Sequence, residues 1–338
     1  MSARDLFLGI DLGGSKILAG VVTGAGKILS RAKTATPFSG GGDALLNALR
    51  ETASSALREA GVSPARLSRI GMGSPGPLDP ARGLILRTPN IAVKRLAVGP
   101  WLSREFRAPL VLDNDVHMAV YGEWLAGAAR GKARVVGLWI GTGVGGCVIW
   151  DGKVVHGVNR NAGEIGHMIL DARRVRPGKP RGTLEWEAAK TGIARHVRKA
   201  IRRGKKSKLA RHVKGDGERL HSSDLAKAFA AKDGPVVAAV ENSAWYVGLA
   251  IANLFDVLAP ELFVLGGGVS AALEAPYLAL VREAALEHAF STELGKPRIV
   301  LSRLGDDAGL LGAALAARDM PPAGPPPSRA RTSPRHPL

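Results

Sequence analysis

Three short stretches join glycine to an oxygen-bearing side chain at the end of an apolar run. The first is Asp11-Leu12-Gly13-Gly14-Ser15-Lys16. Backbone N–H groups in a turn without side-chain bulk can approach an anion, and an acid beside them can hold a hydrated Mg²⁺ next to a phosphate. Gly141-Thr142-Gly143-Val144-Gly145-Gly146 repeats the device with a hydroxyl in it. The third, Leu265-Gly266-Gly267-Gly268-Val269-Ser270, follows an apolar run and opens a helical pattern, where an adenine or ribose can pack closely. Each alone is equally well an ordinary turn. Two such turns on matched hairpins point to two phosphate-binding loops.

A second set of residues has the chemistry of sugar handling. Val111-Leu112-Asp113-Asn114-Asp115-Val116 lies between a strand pattern and a helix pattern. Phosphoryl transfer to an alcohol needs an acceptor for the hydroxyl proton, which Asp115 supplies, with Asn114 as a hydrogen-bonding neighbour. On the motif alone, the reading of Asp115 as the cap of the following helix is favoured. Glu164 and His167, in Gly163-Glu164-Ile165-Gly166-His167, and Glu185 further on can donate to and accept from ring hydroxyls. A single histidine is more often a structural hydrogen-bonder than a ligand. Gly73-Ser74-Pro75-Gly76 and Thr88-Pro89-Asn90 read first as turns.

The elements that must position these groups are legible as alternating patterns. Leu6–Asp11, Lys16–Val22 and Lys27–Lys33 form strand, glycine turn, strand, turn, strand. Val135–Ile140, Val144–Trp150 and Lys153–His156 repeat the plan, with Asp151-Gly152 as a type I′ hairpin signal. Helical patterns cover Asp43–Ala60 (Asp43 as N-cap, Gly61 as stop), Val116–Ala128, Thr183–Lys199, Ser223–Ala231, Val236–Leu258 and Ala308–Arg318. Leu110–Leu112 and Glu261–Leu265 read as further strands. The mixture, with its weak internal repeat, predicts an α/β protein of two related lobes. The expected boundaries are 1–117, completed by a helix at about 302–319, and 118–301.

Composition limits the remaining possibilities. A chain of 338 residues with 46% apolar and 22% charged side chains is long enough for two lobes and too apolar to be disordered throughout. The single cysteine, Cys147, excludes a disulfide scaffold and a multi-cysteine metal site, and it fits a reducing, cytoplasmic setting. No basic-then-apolar leader opens the chain, and the longest uncharged run, Val135–Trp150, is too short and glycine-broken to span a bilayer. The net charge of +18 is local: Arg195–Lys214 holds ten Lys/Arg and no acid, and Arg173–Arg181 is a second basic, Pro/Gly-containing stretch. Neither carries interleaved aromatics or a recognition-helix plan, so nucleic acid is not an expected partner. The stretch 320–338, with seven prolines and no apolar period, reads as a disordered tail. No Walker lysine motif or dinucleotide fingerprint is present.

In this order the motifs resemble the ROK family of sugar kinases, over about Phe7 to Ala317. The resemblance implies an actin-like ATPase fold with ATP, Mg²⁺ and sugar in a cleft between two lobes. It implies Asp115 as the base toward the terminal hydroxyl of the sugar, with Ser74, Asn90, Asn114, Glu164, His167 and Glu185 on the sugar. Asp11, Gly13, Gly14, Ser15, Lys16, Gly141, Thr142, Gly143, Gly266, Gly267 and Gly268 match phosphate and nucleotide positions. The implied activity is ATP-dependent phosphorylation of a hexose at its 6-hydroxyl, with glucose the leading candidate. Fructose, an N-acetylhexosamine, or polyphosphate as donor are the alternatives. Family members that act as sugar-responsive repressors carry a helix-turn-helix domain ahead of the core, and here a strand pattern begins at once. A homo-oligomer, most simply a dimer, is implied. One departure stands out. Many members hold a structural zinc with a histidine and three cysteines, and here Arg176, Gly178 and Thr183 occupy the cysteine positions. No structural zinc is expected.

Overall fold

The computed structural model describes residues 6–88, 93–176, 178–213, 220–290 and 292–322. The 320–338 tail beyond residue 322, and Asn90, lie outside the described residues. The chain forms two compact units, one running to Met118 and resuming at Gly309, the other Ala119–Ala308.

In the first unit β1 (Leu6–Leu12), β2 (Lys16–Thr23) and β3 (Ala32–Ala35) form the expected meander. The third strand begins later than its sequence pattern suggests, because Val22 and Ile28 already meet as an isolated bridge beside the turn. Next come α1 (Gly41–Glu59), β4 (Leu67–Ser74), and a small sheet of β5 (Leu78–Asp79), β6 (Leu84–Arg87) and β7 (Lys94–Leu96). Then follow α2 (Val98–Phe106), β8 (Leu110–Asn114) and α3 (Asp115–Ala126), which crosses into the second unit. The main sheet has the order β3-β2-β1-β4-β8, with β1, β4 and β8 parallel. Asp43 is not the cap of α1: the helix enters through Gly40 and Gly41, at φ 86° and 64°, without a side-chain cap. Asp43 instead sits in the first turn, where its charge suits the helix dipole.

The second unit repeats the plan. β9 (Val135–Ile140), β10 (Val144–Trp150) and β11 (Lys153–Val154) form an antiparallel meander, and β12 (Leu262–Gly266) and β13 (Ile299–Leu301) extend it in parallel. Its order, β11-β10-β9-β12-β13, is the order of the first sheet. The Asp151-Gly152 turn has both residues at positive φ, 47° and 76°, as a type I′ hairpin requires. The helices are α4 (Leu184–Ala188), α5 (Lys190–Arg202), α6 (Ser222–Ala230), α7 (Gly234–Leu258) and α8 (Gly267–His288). The single helix read over Thr183–Lys199 is thus two. The break falls at Ala189 (ψ 160°), where the Lys190 N–H leaves the helix to donate to the Gly141 carbonyl at 2.9 Å. α7 is long and apolar enough to cross a membrane by length and composition, but its buried face, including Val240, Ala244, Val247 and Ile251, belongs to the core of this unit.

The last helix, α9 (Asp307–Asp319), returns to the first sheet. Gly9 and Gly71 lie within β1 and β4 directly beneath it, and a Cβ on either would collide with the carbonyls of Leu310 or Ala313. A share of the glycine in this chain therefore serves close helix-on-sheet packing rather than turns.

Candidate active site

The first unit gathers its polar groups at the carboxyl ends of β1, β4 and β8. Register fixes the row: Asp11 pairs with Gly73, Gly73 with Asp113, and Ser74 with Asn114. In an open parallel sheet this edge is where ligands bind. Gly73 has no side chain because the Asp115 backbone lies against it, with Asp115 Cα 3.1 Å from where a Cβ would stand. That contact seats α3, and with it Asp115, on the strand ends.

The competition between base and cap at Asp115 resolves largely toward Asn114. Asn114 Oδ1 accepts from the N–H groups of both Val116 (2.9 Å) and His117 (3.3 Å), while Asp115 Oδ1 accepts from Val116 at 3.0 Å. Asn114 thus holds the helix start through its oxygen and keeps its Nδ2 as a donor. Beneath them Asp113, buried, accepts from the Asn114 N–H at 2.8 Å and pairs with the buried His117 at 3.2 Å. Reading the sequence missed this pair. A carboxylate and a histidine at (i, i+4) across a strand–helix junction were the available signal.

Asp11 closes the other end of the row. Its carboxylate lies against Gly309 in the first turn of α9, with no room there for a Cβ. The adjoining turn is tight: the Gly13 N–H donates to the Lys16 carbonyl at 2.9 Å, with Gly14 and Ser15 between. Ser74 is fully buried, and its hydroxyl donates to the Pro75 carbonyl at 3.1 Å. It therefore shapes the turn more than it offers a ligand contact.

In the second unit the two glycine clusters adjoin. Gly266 pairs with Trp139, and Gly267 at φ 85° sits against the Ile140 backbone, which would be 2.6 Å from a Cβ. Gly268 faces the Ser222 hydroxyl at the start of α6. The Gly141 turn closes on itself, Gly141 N–H to Gly143 O at 2.9 Å. It is braced by α5, where Thr191 donates to the Thr142 carbonyl at 3.1 Å. Lys190 heads that helix, half-buried, and no carboxylate lies in reach of it among the described residues. Burial lowers its pKa. A cation at a helix N-terminus is also opposed by the dipole. Sequence reading passed over it because no glycine motif contains it.

Glu164, His167 and Glu185 collect around the first residues of β10. The turn carrying Glu164 and His167 lies flat on that strand, since Gly166 and Gly146 each leave no room for a Cβ. Both side chains stay open to solvent, His167 Nε2 standing 3.8 Å from Glu164 Oε2. Glu185 is more engaged than expected. Its Oε2 accepts from the Val144 N–H at 2.9 Å and covers Gly143, tying the expected sugar contact to the expected phosphate turn.

A family model for the ROK family matches residues 7–320. The chain is 33% identical to a glucokinase of Halalkalibacterium halodurans, over 90% of this chain and 93% of that one. Among solved structures it is similar to a ROK hexokinase from Thermus thermophilus, with 34% identity and a TM-score of 0.76 over 93% of this chain and 98% of that one. It is also similar to a ROK family glucokinase from Streptomyces griseus in complex with glucose and AMPPNP. That match has 29% identity and a TM-score of 0.77 over 93% and 99% of the two chains.

Proposed function

The chain belongs to the ROK family and is a sugar kinase of it, and we propose from that premise that it transfers the γ-phosphoryl group of ATP to the 6-hydroxyl of glucose. The observation that carries this is the placement of Asp115 at the end of the parallel strands, with Asn114 meeting most of the demand for a helix cap. The Asp115 carboxylate accepts the proton of the hydroxyl as its oxygen attacks phosphorus. Asn114 Nδ2, Glu164, His167 and Glu185 hold the other ring hydroxyls, and Asn90 is proposed as a further contact. Ser74 fixes the turn beside them.

On the nucleotide, the N–H groups at Gly14, Ser15, Thr142 and Gly143 donate to phosphate oxygens, while those of Gly13 and Gly141 close the two turns. Lys16 adds charge, and Gly266, Gly267 and Gly268, packed against Trp139, Ile140 and Ser222, present the β12–α8 backbone to the nucleoside. Asp11 suits Mg²⁺, which keeps most of its waters and takes one or two carboxylates with phosphate oxygens. When bound, that ion neutralises charge on the transferring group. Lys190 finds in a phosphate the anion that the described residues do not supply. A cytoplasmic setting is supported by the lone, buried Cys147. A homodimer is supported by exposed apolar side chains near the C-terminal ends of α7 and α8, including Val257, Leu286 and Phe290.

A second donor, inorganic polyphosphate, has one observation in its favour. Trp186 carries Arg195 3.4 Å from its ring centroid and Arg181 at 5.9 Å, which joins the two basic stretches into one surface. The decisive assay offers glucose, mannose, fructose and N-acetylhexosamines with ATP and Mg²⁺, then polyphosphate at low and high salt. Glucose with ATP is expected to give the highest kcat/KM. Preference for another hexose would refute the substrate assignment. Polyphosphate turnover at low salt would establish the second donor, and its absence there would end that reading.

A further inference from the structure

The residues at the family's zinc positions cannot form that site. Arg176 is a permanent cation whose Nη1 donates to the carbonyls of Val175 (2.7 Å) and Arg173 (3.3 Å). Gly178 has no side chain and stands at φ 66°. Thr183 spends its hydroxyl on structure, donating to the Pro180 carbonyl at 2.7 Å and accepting from the Trp186 N–H at 3.2 Å as the cap of α4. Zinc takes thiolate, imidazole or carboxylate, and His167 is the one such ligand in this set. Its imidazole is 65% exposed beside Glu164. The loop must be held in another way.

The structure contains a cross-link at this place. Glu187, on α4, is fully buried. Its Oε1 lies 2.6 Å from Nη1 of Arg174, which belongs to the loop, and its Oε2 lies 3.1 Å from Nε2 of His196 on α5. Tyr246 of α7 lies beside the same Arg174. A buried carboxylate persists only when its charge is compensated, and this one is ion-paired to Arg174 through Oε1 and hydrogen-bonded to His196 through Oε2. The base of the loop is also closed, with Leu170 N–H donating to Gly182 O at 2.8 Å and Leu184 N–H to Met168 O at 2.9 Å. Two residues before Glu187 on the same short helix is Glu185, whose carboxylate accepts from Val144 at the glycine turn.

We propose that Glu187, gripped by Arg174 and His196, clamps the loop 171–182 onto α4 and α5 in place of the zinc cross-link, and so positions Glu185 at the sugar. Glu187, Arg174 and His196 are positioning residues, not catalytic ones. The link to sugar rests on the glucokinase reading; the clamp itself does not.

The test uses the full chain. Elemental analysis of protein purified without chelator is expected to find far less than one zinc per chain. Incubation with 1,10-phenanthroline, followed by Mg²⁺, is expected to leave turnover unchanged. Stoichiometric zinc would overturn the proposal. Arg174→Ala and Glu187→Gln are expected to raise tryptic cleavage after Arg173 and Arg181, sites that both variants keep, at least tenfold, with Arg174→Lys partly restoring protection. The same variants are expected to raise the KM for glucose about tenfold while the KM for ATP changes less than twofold. Unchanged cleavage in folded Arg174→Ala would refute the clamp. Increased cleavage with an unchanged glucose KM would refute its role in positioning Glu185. Metal content and cleavage are read without activity, so failure of the clamp and failure of the substrate assignment remain distinguishable.

Discussion

Individual side chains in this chain are tuned against stability where ligands are expected. Lys190 is half-buried at a helix N-terminus without an acidic partner among the described residues, and burial lowers its pKa. A folded-state pKa below the unfolded one means that the protonated form opposes folding at neutral pH. Lys190→Met is therefore expected to leave the Tm unchanged or raise it by roughly 2–4 °C, while the KM for ATP rises about tenfold or more. Calorimetry and steady-state kinetics check the two halves, and a lower Tm with unchanged KM would refute them.

Glu187 carries the opposite sign. Burial pushes its pKa up, but the His196 hydrogen bond and the Arg174 charge outweigh this and hold it below the ordinary value. Arg195 and Tyr246 also face it. Its contribution is present above the unfolded carboxylate pKa and is lost as pH falls through the lower folded value. The Tm advantage of wild type over Glu187→Gln is thus expected to be largest near pH 7 and to shrink below about pH 4.5.

At the level of elements, glycine does two jobs. Gly267 is needed for conformation and for closeness, since φ is 85° and the Ile140 backbone fills the space of a Cβ. Gly71 is needed for closeness alone, because α9 lies on it. Gly71→Ala is expected to cost about 1–3 kcal/mol in urea unfolding by overpacking, and Gly267→Ala a similar amount through backbone strain. Only Gly267→Ala is expected to weaken nucleotide binding beyond its effect on stability, which titration with an ATP analogue reads directly. The glycine turns and Asn114-Asp115 were legible in the sequence because each sits where an apolar run stops. The two-meander plan was legible because its second copy repeats the order of the first. The break at Ala189 was not, because Lys190 leaves the helix for a carbonyl 49 residues earlier, at Gly141. Gly192, whose missing Cβ lets the Trp186 carbonyl approach, was the one local hint. The Glu187 clamp was invisible for the same reason: its partners come from a loop and another helix.

On the scale of the whole molecule, the charge of +18 is separable from the chemistry. Lys205, Lys206 and Lys208 are exposed and form no ion pair among the described residues. Reversing all three to Glu is expected to leave kcat with ATP and glucose within about twofold, because solvent and salt screen exposed charges. Any polyphosphate turnover would fall sharply. The two units repeat one sheet plan, and each carries a glycine turn at the end of its first strand. We propose that such a chain moves a phosphoryl group from ATP to glucose with Asp115 as the base. The most direct measurement is glucose 6-phosphate formation by Asp115→Asn beside its calorimetric affinity for glucose. The predicted result is a loss of kcat of about 10²–10⁴-fold or more, with the Kd for glucose within about threefold of wild type. Turnover close to wild type in that variant would contradict the account.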